Sequence, residues 1–144
     1  MATVELRFSP LPEHVRTARL VAAAVARRAG VDEAVLDEVR LAVGEACSRA
    51  VGLHIGHGLE TPVRVALSED EKTFRIEVGD DAPRAAHGPV HGSSSDGDGT
   101  EIDDEGDMGL AVISGLVDDL EVTADGHGGL IRMSWPTTSA SVEP

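Results

Sequence analysis

The sequence predicts an α/β two-layer sandwich, in which helices pack on one face of a mixed, mostly antiparallel sheet. Apolar and polar residues alternate, as in strands, in one segment near the N-terminus and in two later pairs of segments. Apolar residues recur at helical spacing in two long segments and in one short segment. The order is strand, helix, helix, strand, strand, loop, helix, strand, strand, which is typical of this class.

Composition limits the protein to one domain and to few classes of partner. A chain of 144 residues suits one well-buried domain better than two. With two Phe, one Trp and no Tyr, the core must be aliphatic and cannot supply aromatic stacking on bases. A formal net charge of −14 repels phosphate backbones and anionic membranes. We therefore expect no direct binding to DNA and no binding to a membrane.

The cysteine content and the N-terminus indicate the compartment. Cys47 is the only cysteine, so the chain forms no internal disulfide and suits a reducing environment. No apolar run approaches the roughly 20 residues that span a bilayer, and the N-terminus lacks a signal pattern. We therefore expect a cytoplasmic protein.

The N-terminal part predicts a strand and a helix. Residues 3–8 alternate in the strand manner. The prolines that follow break the strand, and Pro12 suits the first position of a helix over residues 13–29, which ends at Gly30. Residues 21–25 are apolar on more than one face of this helix, so another subunit or a partner could cover one of them.

A second, longer helix is predicted from about residue 31 or 32 to residue 53. Leu36, Val39, Val43 and Ala50 lie on one apolar stripe that should face the core. Cys47 falls on the same stripe, where a small buried residue is the default.

Two strands and an acidic segment follow. Residues 62–68 and 73–78 alternate as strands, and the link between them has hairpin length. Residues 80–108 are rich in acids and glycine and cannot bury enough apolar surface to offset their ordering entropy. We expect a mobile acidic lid over this segment.

The last third predicts a short helix and a hairpin. The helix runs from about residue 109 to 117, and the strands cover residues 120–124 and 130–135. Residues 136–144 form a polar tail without periodicity. The prediction is therefore one domain over residues 1–135 with a flexible C-terminal tail.

Three segments resemble motifs of the ATPase superfamily that unites gyrase, histidine kinases and MutL (GHKL). Residues 39–51 resemble its N-box helix, residues 76–84 resemble the strand and turn that hold adenine, and residues 106–113 resemble its second glycine box, with the hairpin at 125–133 as its closing strands. The chain is most similar to the anti-sigma-factor serine kinases of this superfamily. The resemblance implies a histidine-kinase-like ATPase fold.

The N-box departs from the family at one position. The family has a glutamate that acts as general base and, four residues later, an asparagine that binds magnesium; the resemblance places Glu45 and Arg49 there. A guanidinium has no lone pair for a cation and repels it, so we expect no magnesium binding. Two interpretations stay open. Glu45 and Arg49 form an ordinary salt bridge, or Arg49 takes the place of magnesium against phosphate oxygens.

The adenine-holding segments depart further. Asp80 matches the family's adenine-reading aspartate, but Ala82 and Arg84 replace the two glycines of the D-x-G-x-G turn. In the closing hairpin, Leu130 stands where a threonine assists adenine recognition. The resemblance makes these four residues candidates for ligand binding, at a site that has changed.

The second glycine box is partly kept. Gly106 and Gly109 match the family within the sequence GDMGL, which ends at Leu110, and we expect all three near the ligand. Asp107 lies where an acid disfavours a phosphate near a helix N-terminus.

The remaining polar clusters predict no metal site. His54 and His57 follow the second helix without a third ligand nearby, so we interpret them as loop histidines and not as a zinc site. The acidic run at 96–105 lacks the sixth-position glycine and flanking helices of an EF-hand.

The resemblance implies two competing functions. In the first, the protein is an anti-sigma factor that sequesters an RNA polymerase sigma factor. Its eroded site is then empty or binds ATP, ADP or a nucleotide sugar without magnesium. In the second, it is an active serine/threonine kinase that phosphorylates an anti-anti-sigma partner with Glu45 as base. Loss of the metal ligand counts against the kinase, because metal neutralises the charge that develops in phosphoryl transfer. The resemblance also implies a homodimer, with the first strand and the first helix near its interface.

Overall fold

A computed structural model describes residues 3–83, 87–91 and 104–137. The strands are β1 Thr3–Phe8, β2 Val63–Glu69, β3 Thr73–Asp80, β4 His87–His91, β5 Asp119–Asp125 and β6 Gly128–Pro136. The α-helices are α1 His14–Ala29, α2 Leu36–Gly56 and α3 Asp104–Ser114.

The strands form one six-stranded sheet in the order β1-β2-β3-β6-β5-β4. Each neighbouring pair of described strands is antiparallel. This arrangement confirms the predicted α/β sandwich and goes beyond the mostly antiparallel sheet that the sequence indicated. Within the described ranges, no helix is long and apolar enough to cross a membrane.

The core lies between one face of the sheet and the helices. Alternate residues of the inner strands are buried in it: Val63, Val65, Leu67, Phe74, Ile76, Val78, Leu120, Val122, Ile131, Met133 and Trp135. The apolar stripes of α1 and α2 belong to the same cluster. The predicted strand alternation therefore assigned the correct face of these strands, because a period of two places alternate side chains on one side.

The other face of the sheet is polar. Arg132 of β6 donates to Glu77 of β3 at 2.8 Å and to Glu121 of β5 at 3.0 Å. These ion pairs hold the pKa of Arg132 above its usual value, chiefly through the hydrogen bond to Glu77. Charged residues thus bridge three strands on the side that the helices leave open.

The ends of the first two helices follow local rules. Gly30 ends α1 with a φ of 99°, and its N–H donates to carbonyls of the last turn. The second helix begins later than predicted, because a short 3₁₀ turn, Glu33–Val35, precedes α2. Asp32 caps this turn by accepting a hydrogen bond from the Ala34 N–H at 3.2 Å.

The segment predicted as a loop needs correction. Strand β4 lies within it and pairs with β5, and α3 begins at Asp104 instead of residue 109. The other parts of the predicted lid, residues 84–86 and 92–103, lie outside the described residues. The predicted tail also starts too early, since β6 runs to Pro136 and the Thr137 N–H donates to the Lys72 carbonyl at 3.0 Å. Residues 138–144 lie outside the described residues.

The β5–β6 hairpin brings a glycine against the end of β3. Gly128 has a φ of 142°, and a Cβ added there would lie 2.0 Å from the carbonyl oxygen of Asp80. Only glycine allows this backbone approach. Gly126, in the same hairpin, has no atom within 4 Å of an added Cβ.

We predict that Gly128→Ala lowers the free energy of unfolding by at least about 2 kcal/mol, because it combines an unfavourable φ with a clash against backbone. Denaturant unfolding measures this. Gly126→Ala is the matched control and should change stability by less than about 1 kcal/mol. Equal stability of the two variants would contradict the close approach of Gly128 to Asp80.

Candidate functional site

The third helix covers two of the candidate residues on α2. A Cβ added at Gly109 of α3 would lie 3.3 Å from the Oε2 atom of Glu45 and 3.9 Å from the Cδ atom of Arg49. Both side chains are half-buried. The structure therefore brings together Glu45, Arg49 and Gly109 where α3 packs on α2.

Asp80 lies at the end of β3 and faces the helix layer. Its side chain continues the buried series of Ile76 and Val78, and the residue is 4% exposed. Its Oδ1 atom accepts a hydrogen bond from the N–H of Ala82 at 2.9 Å, which closes a turn just after the strand. Ala82 itself is fully buried. The acid and the alanine are thus adjacent at one point.

The buried His54 ties α2 to this turn. Its Nε2 atom accepts a hydrogen bond from the N–H of Asp81 at 2.9 Å, and its Nδ1 atom lies 2.9 Å from the carbonyl oxygen of Thr61. A carbonyl only accepts, so Nδ1 carries the proton and the ring is neutral. His54 is completely buried. It is therefore a structural link inside a helix, which corrects the interpretation of His54 as a loop histidine.

An ion pair with Arg64 also restrains the side chain of Asp81. Arg64 donates to its Oδ1 atom at 2.8 Å. This hydrogen bond is the main reason why the pKa of Asp81 lies below its usual value, with a further contribution from the Thr61 side chain. The absence of a side chain at Gly79 leaves room for the guanidinium, since a Cβ there would lie 3.0 Å from Arg64.

The candidate residues thus lie at two levels along α2. His54 lies in its last turn beside the Asp80 turn, and Glu45 and Arg49 lie in its middle, beneath α3. Glu45 and His54 are nine positions apart, which corresponds to about 13.5 Å along the helix axis. A ligand that contacted both levels would have to be elongated.

Leu130 is not at this site. In the register of β3 and β6, Leu130 pairs with Gly79 and Asp80 pairs with Gly129. Since side chains alternate between faces, Leu130 lies on the polar face of the sheet, away from Asp80. The grouping of Leu130 with the ligand-binding residues therefore needs correction, and Gly129 is the residue opposite Asp80.

The other candidates are placed as follows. Gly106 lies in the first turn of α3, and Leu110 packs partly against the core. Arg84 lies outside the described residues, so its proximity to the ligand stays a prediction.

Arg49 argues against magnesium binding at this site. Mg²⁺ takes oxygen ligands, and a guanidinium has no lone pair to offer. The part of the chain that the structure describes contains no group of three or more His, Cys, Asp or Glu residues that could hold a metal. The absence of magnesium stays a prediction that rests on Arg49.

A second surface feature lies between α1 and α2. It is a groove of about 410 Å³ lined by Arg16, Arg19, Leu20, Asp37, Arg40 and Leu41. Leu20 is 57% exposed and Leu41 is 56% exposed. Gly44 lets the side chain of Arg19 cross α2, since an added Cβ would lie 2.7 Å from the Arg19 Cδ atom. Arg40 forms an ion pair with Asp37, so Arg16 and Arg19 together with the two leucines make the groove basic and apolar on an acidic protein.

Sequence reasoning missed the buried, structural role of His54, although the sequence contains a signal for it. His54 lies four residues after Ala50 and seven after Cys47, so it continues the buried stripe of α2. A polar residue on a buried stripe must find hydrogen-bond partners. The partners lie in other elements and could not be read from the helical pattern.

Comparison with known proteins identifies a matching family model and similar proteins. The family model for the histidine kinase-like ATPase domain matches residues 8–135. A serine-protein kinase RsbW from Oceanobacillus iheyensis is 28% identical over 142 residues, which cover 91% of this chain and 84% of the relative. A serine-protein kinase RsbW from Halalkalibacterium halodurans is 28% identical over 135 residues, which cover 85% of this chain and 76% of the relative.

The hydrogen bond from Arg64 to Asp81 should make the stability of the protein depend on pH. We expect Arg64→Gln to raise the pKa of Asp81 toward its ordinary value, measured by NMR titration of the carboxyl carbon. Because the folded pKa is depressed, the pair contributes stability above the pKa of the unfolded chain, and this stability is lost as the pH falls through the folded pKa. Acid should therefore destabilise the wild type more steeply than Arg64→Gln.

Arg27→Gln is the control, since Arg27 pairs only with the exposed Glu33 among the ion pairs described. It should leave the titration of Asp81 unchanged. If Arg64→Gln leaves the pKa of Asp81 unchanged, the hydrogen bond between Arg64 and Asp81 is contradicted.

Proposed function

Because the chain belongs to the family of histidine kinase-like ATPase domains, we propose that it is an anti-sigma factor, which binds and sequesters an RNA polymerase sigma factor with little or no kinase activity. The resemblance to anti-sigma serine kinases and the two relatives named as serine-protein kinases support this class. The choice of binding over catalysis is carried by a single observation, the placement of Arg49.

By the resemblance, Arg49 matches the family's magnesium ligand, and in the structure it packs beneath Gly109 beside Glu45. In phosphoryl transfer, metal ions bridge the phosphate oxygens and neutralise the charge that develops there. An arginine on α2 supplies a fixed charge and excludes the ion. The proposed base is therefore kept while the proposed metal site is lost.

In this proposal, the nucleotide site is either empty or binds a nucleotide such as ADP, or a nucleotide sugar, without magnesium. Asp80 remains as a buried hydrogen-bond acceptor, and Arg49 offers a cation suited to phosphate oxygens.

The second candidate function is an active serine/threonine kinase that acts on an anti-anti-sigma partner. The retained Glu45 favours it, as do the names of the two relatives. In this case Glu45 would accept the proton of the substrate hydroxyl.

The groove between α1 and α2 supports a role in protein binding. Exposed leucines flanked by arginines suit a partner segment that carries apolar residues and acids, and charge complementarity speeds its association. The net charge of −14 repels acidic partners elsewhere, so Arg16 and Arg19, which add positive charge beside the Arg40–Asp37 ion pair, make this groove distinct. A homodimer through β1 and α1 is a further part of the proposal, and the exposure of Val4 on β1 is compatible with it.

The first prediction from this proposal concerns catalysis. With labelled ATP, magnesium and an anti-anti-sigma protein, the wild type should form no phosphoserine. Arg49→Asn restores the family's metal ligand, so its affinity for ATP should be roughly tenfold higher in magnesium than in EDTA, which is about 1.4 kcal/mol. The double variant Glu45→Gln/Arg49→Asn is the control, which should bind ATP without transferring phosphate. Stoichiometric phosphoserine from the wild type would establish the kinase instead.

The second prediction concerns the sigma factor. Purified sigma factors from the same cell should include one that binds the protein in calorimetry without nucleotide. Arg16→Glu should weaken this binding by roughly tenfold or more, because it reverses a charge in the groove. Arg28→Glu is the matched control, an exposed arginine of α1 that does not line the groove. If none of the sigma factors binds, the proposed function is wrong.

A further inference from the structure

A buried glycine lies in the interior of α2. Gly44 is one of the buried residues of this helix. Glycine is less favourable than alanine inside a helix, because it loses more backbone freedom on folding and has no side chain to pack. A glycine at this position therefore calls for a local reason, which its neighbours supply.

The local reason is the side chain of Arg19 on α1. A Cβ added at Gly44 would lie 2.7 Å from the Cδ atom of Arg19, 3.4 Å from its Cγ atom and 3.7 Å from its Nε atom. Three consecutive atoms of the arginine thus lie across the bare backbone of α2. An alanine at this position would push the chain aside, and the guanidinium at its end would move with it. At Gly52, also on α2, no atom lies within 4 Å of an added Cβ.

This crossing places a cation in the groove between α1 and α2. Arg19 lines the groove together with Arg16 and the two exposed leucines, Leu20 and Leu41. Among the ion pairs that join described residues, none involves either of these arginines. A guanidinium that is open to a partner binds a carboxylate through two parallel hydrogen bonds. The groove is therefore suited to a carboxylate that lies next to apolar side chains.

The walls of the groove favour a helical occupant. At Leu20 and Leu41 the backbone N–H and C=O groups are hydrogen-bonded along their own helices. An extended segment laid between them would find no backbone partners there, whereas a helix satisfies its own backbone groups. A helix can also pack its ridge of side chains into the groove between two others.

We infer that Gly44 is the positioning residue of the groove: it lets Arg19 lie across α2, so that the guanidinium binds a carboxylate on an amphipathic helix of the partner. The apolar side chains of that helix pack on the two exposed leucines. The inference rests on the groove of the proposed function and specifies the chemistry of its partner. The direction of one guanidinium, in addition to the charge of the groove, then determines binding.

A glycine that serves packing alone would give a different result. In that case Gly44→Ala should lower the midpoint of thermal unfolding and leave the affinity of the folded protein unchanged. If Gly44 positions Arg19, the flexible arginine swings away and alanine favours the helix. The midpoint should then stay within about 3 °C of the wild type while affinity falls. Gly52→Ala is the matched control, which should keep the affinity of the wild type.

The test is calorimetry of the full chain with a synthetic amphipathic helical peptide, which carries leucines on one face and glutamates beside them, and with its glutamine version. The net charge of −14 disfavours the glutamate peptide at long range, so a preference for glutamate reports a local cation. We expect the wild type to bind the glutamate peptide roughly tenfold more tightly than the glutamine peptide. Gly44→Ala and Arg19→Ala should each lose roughly tenfold for the glutamate peptide. A version with a central proline, which breaks the helix, should not bind.

A double variant covers the case in which Gly44→Ala folds poorly. In Gly44→Ala/Arg19→Ala the arginine that clashes is gone, so the protein should fold at least as well as Arg19→Ala. It should lose roughly tenfold in affinity and not roughly a hundredfold, because both changes remove the same contact. Equal affinity for the two peptides, binding of the proline version, wild-type affinity of Gly44→Ala, or additive losses in the double variant would each overturn the inference.

The same variants separate this inference from the proposed function. A sigma factor that binds Gly44→Ala as tightly as the wild type would overturn the inference and leave the proposed function in place. If the peptides give the expected pattern while none of the sigma factors binds, the proposed function fails and the role of Gly44 stands.

Discussion

The fold depends on the burial of α2 along almost its whole length. Its buried residues form one stripe: Leu36, Val39, Ala42, Val43, Gly44, Ala46, Cys47, Ala50, Val51 and His54. This stripe faces the inner strands of the sheet, where alternate residues are buried against it. Because a helix turns every 3.6 residues, fixing this stripe also fixes the direction of every other side chain on α2. The positions of Glu45 and Arg49 beneath α3 are thus a consequence of core packing.

His54, the last buried residue of the stripe, connects the core to the turn after β3. A leucine at residue 54 would satisfy the hydrophobic pattern but would leave the Asp81 N–H and the Thr61 carbonyl without their present partner. His54 fills the same space and satisfies both groups, so the packing of α2 and the conformation of the turn after β3 become one constraint. Gly128 restrains the same turn from the side of β6.

Much of the fold could be predicted, because most of its strands bury one face and therefore alternate. Strand β4 could not: its sequence HGPVH lacks alternation, and an edge strand tolerates the proline that disqualifies an inner one. For the site, the pattern located Glu45 and Arg49 on one helical face. The resemblance, and not the pattern, grouped Leu130 with the ligand-binding residues; in the strand its side chain lies on the other face of the sheet from Asp80. Register is set by pairing with β3, which the local sequence does not encode.

The groove and the site share one ridge of α2. Asp37, Leu41, Glu45 and Arg49 recur every four residues and so follow each other along the helix surface. The first two line the groove beside α1, and the last two lie beneath α3. Leu41 and Glu45 are about 6 Å apart along the axis. A change at Arg49 can therefore remove metal chemistry from one turn without touching the groove two turns away, while a partner seated in the groove would lie one turn from Glu45. Under the proposed function, this separation along a rigid element would let the protein lose catalysis at one level of α2 and keep a surface for binding another protein at the next.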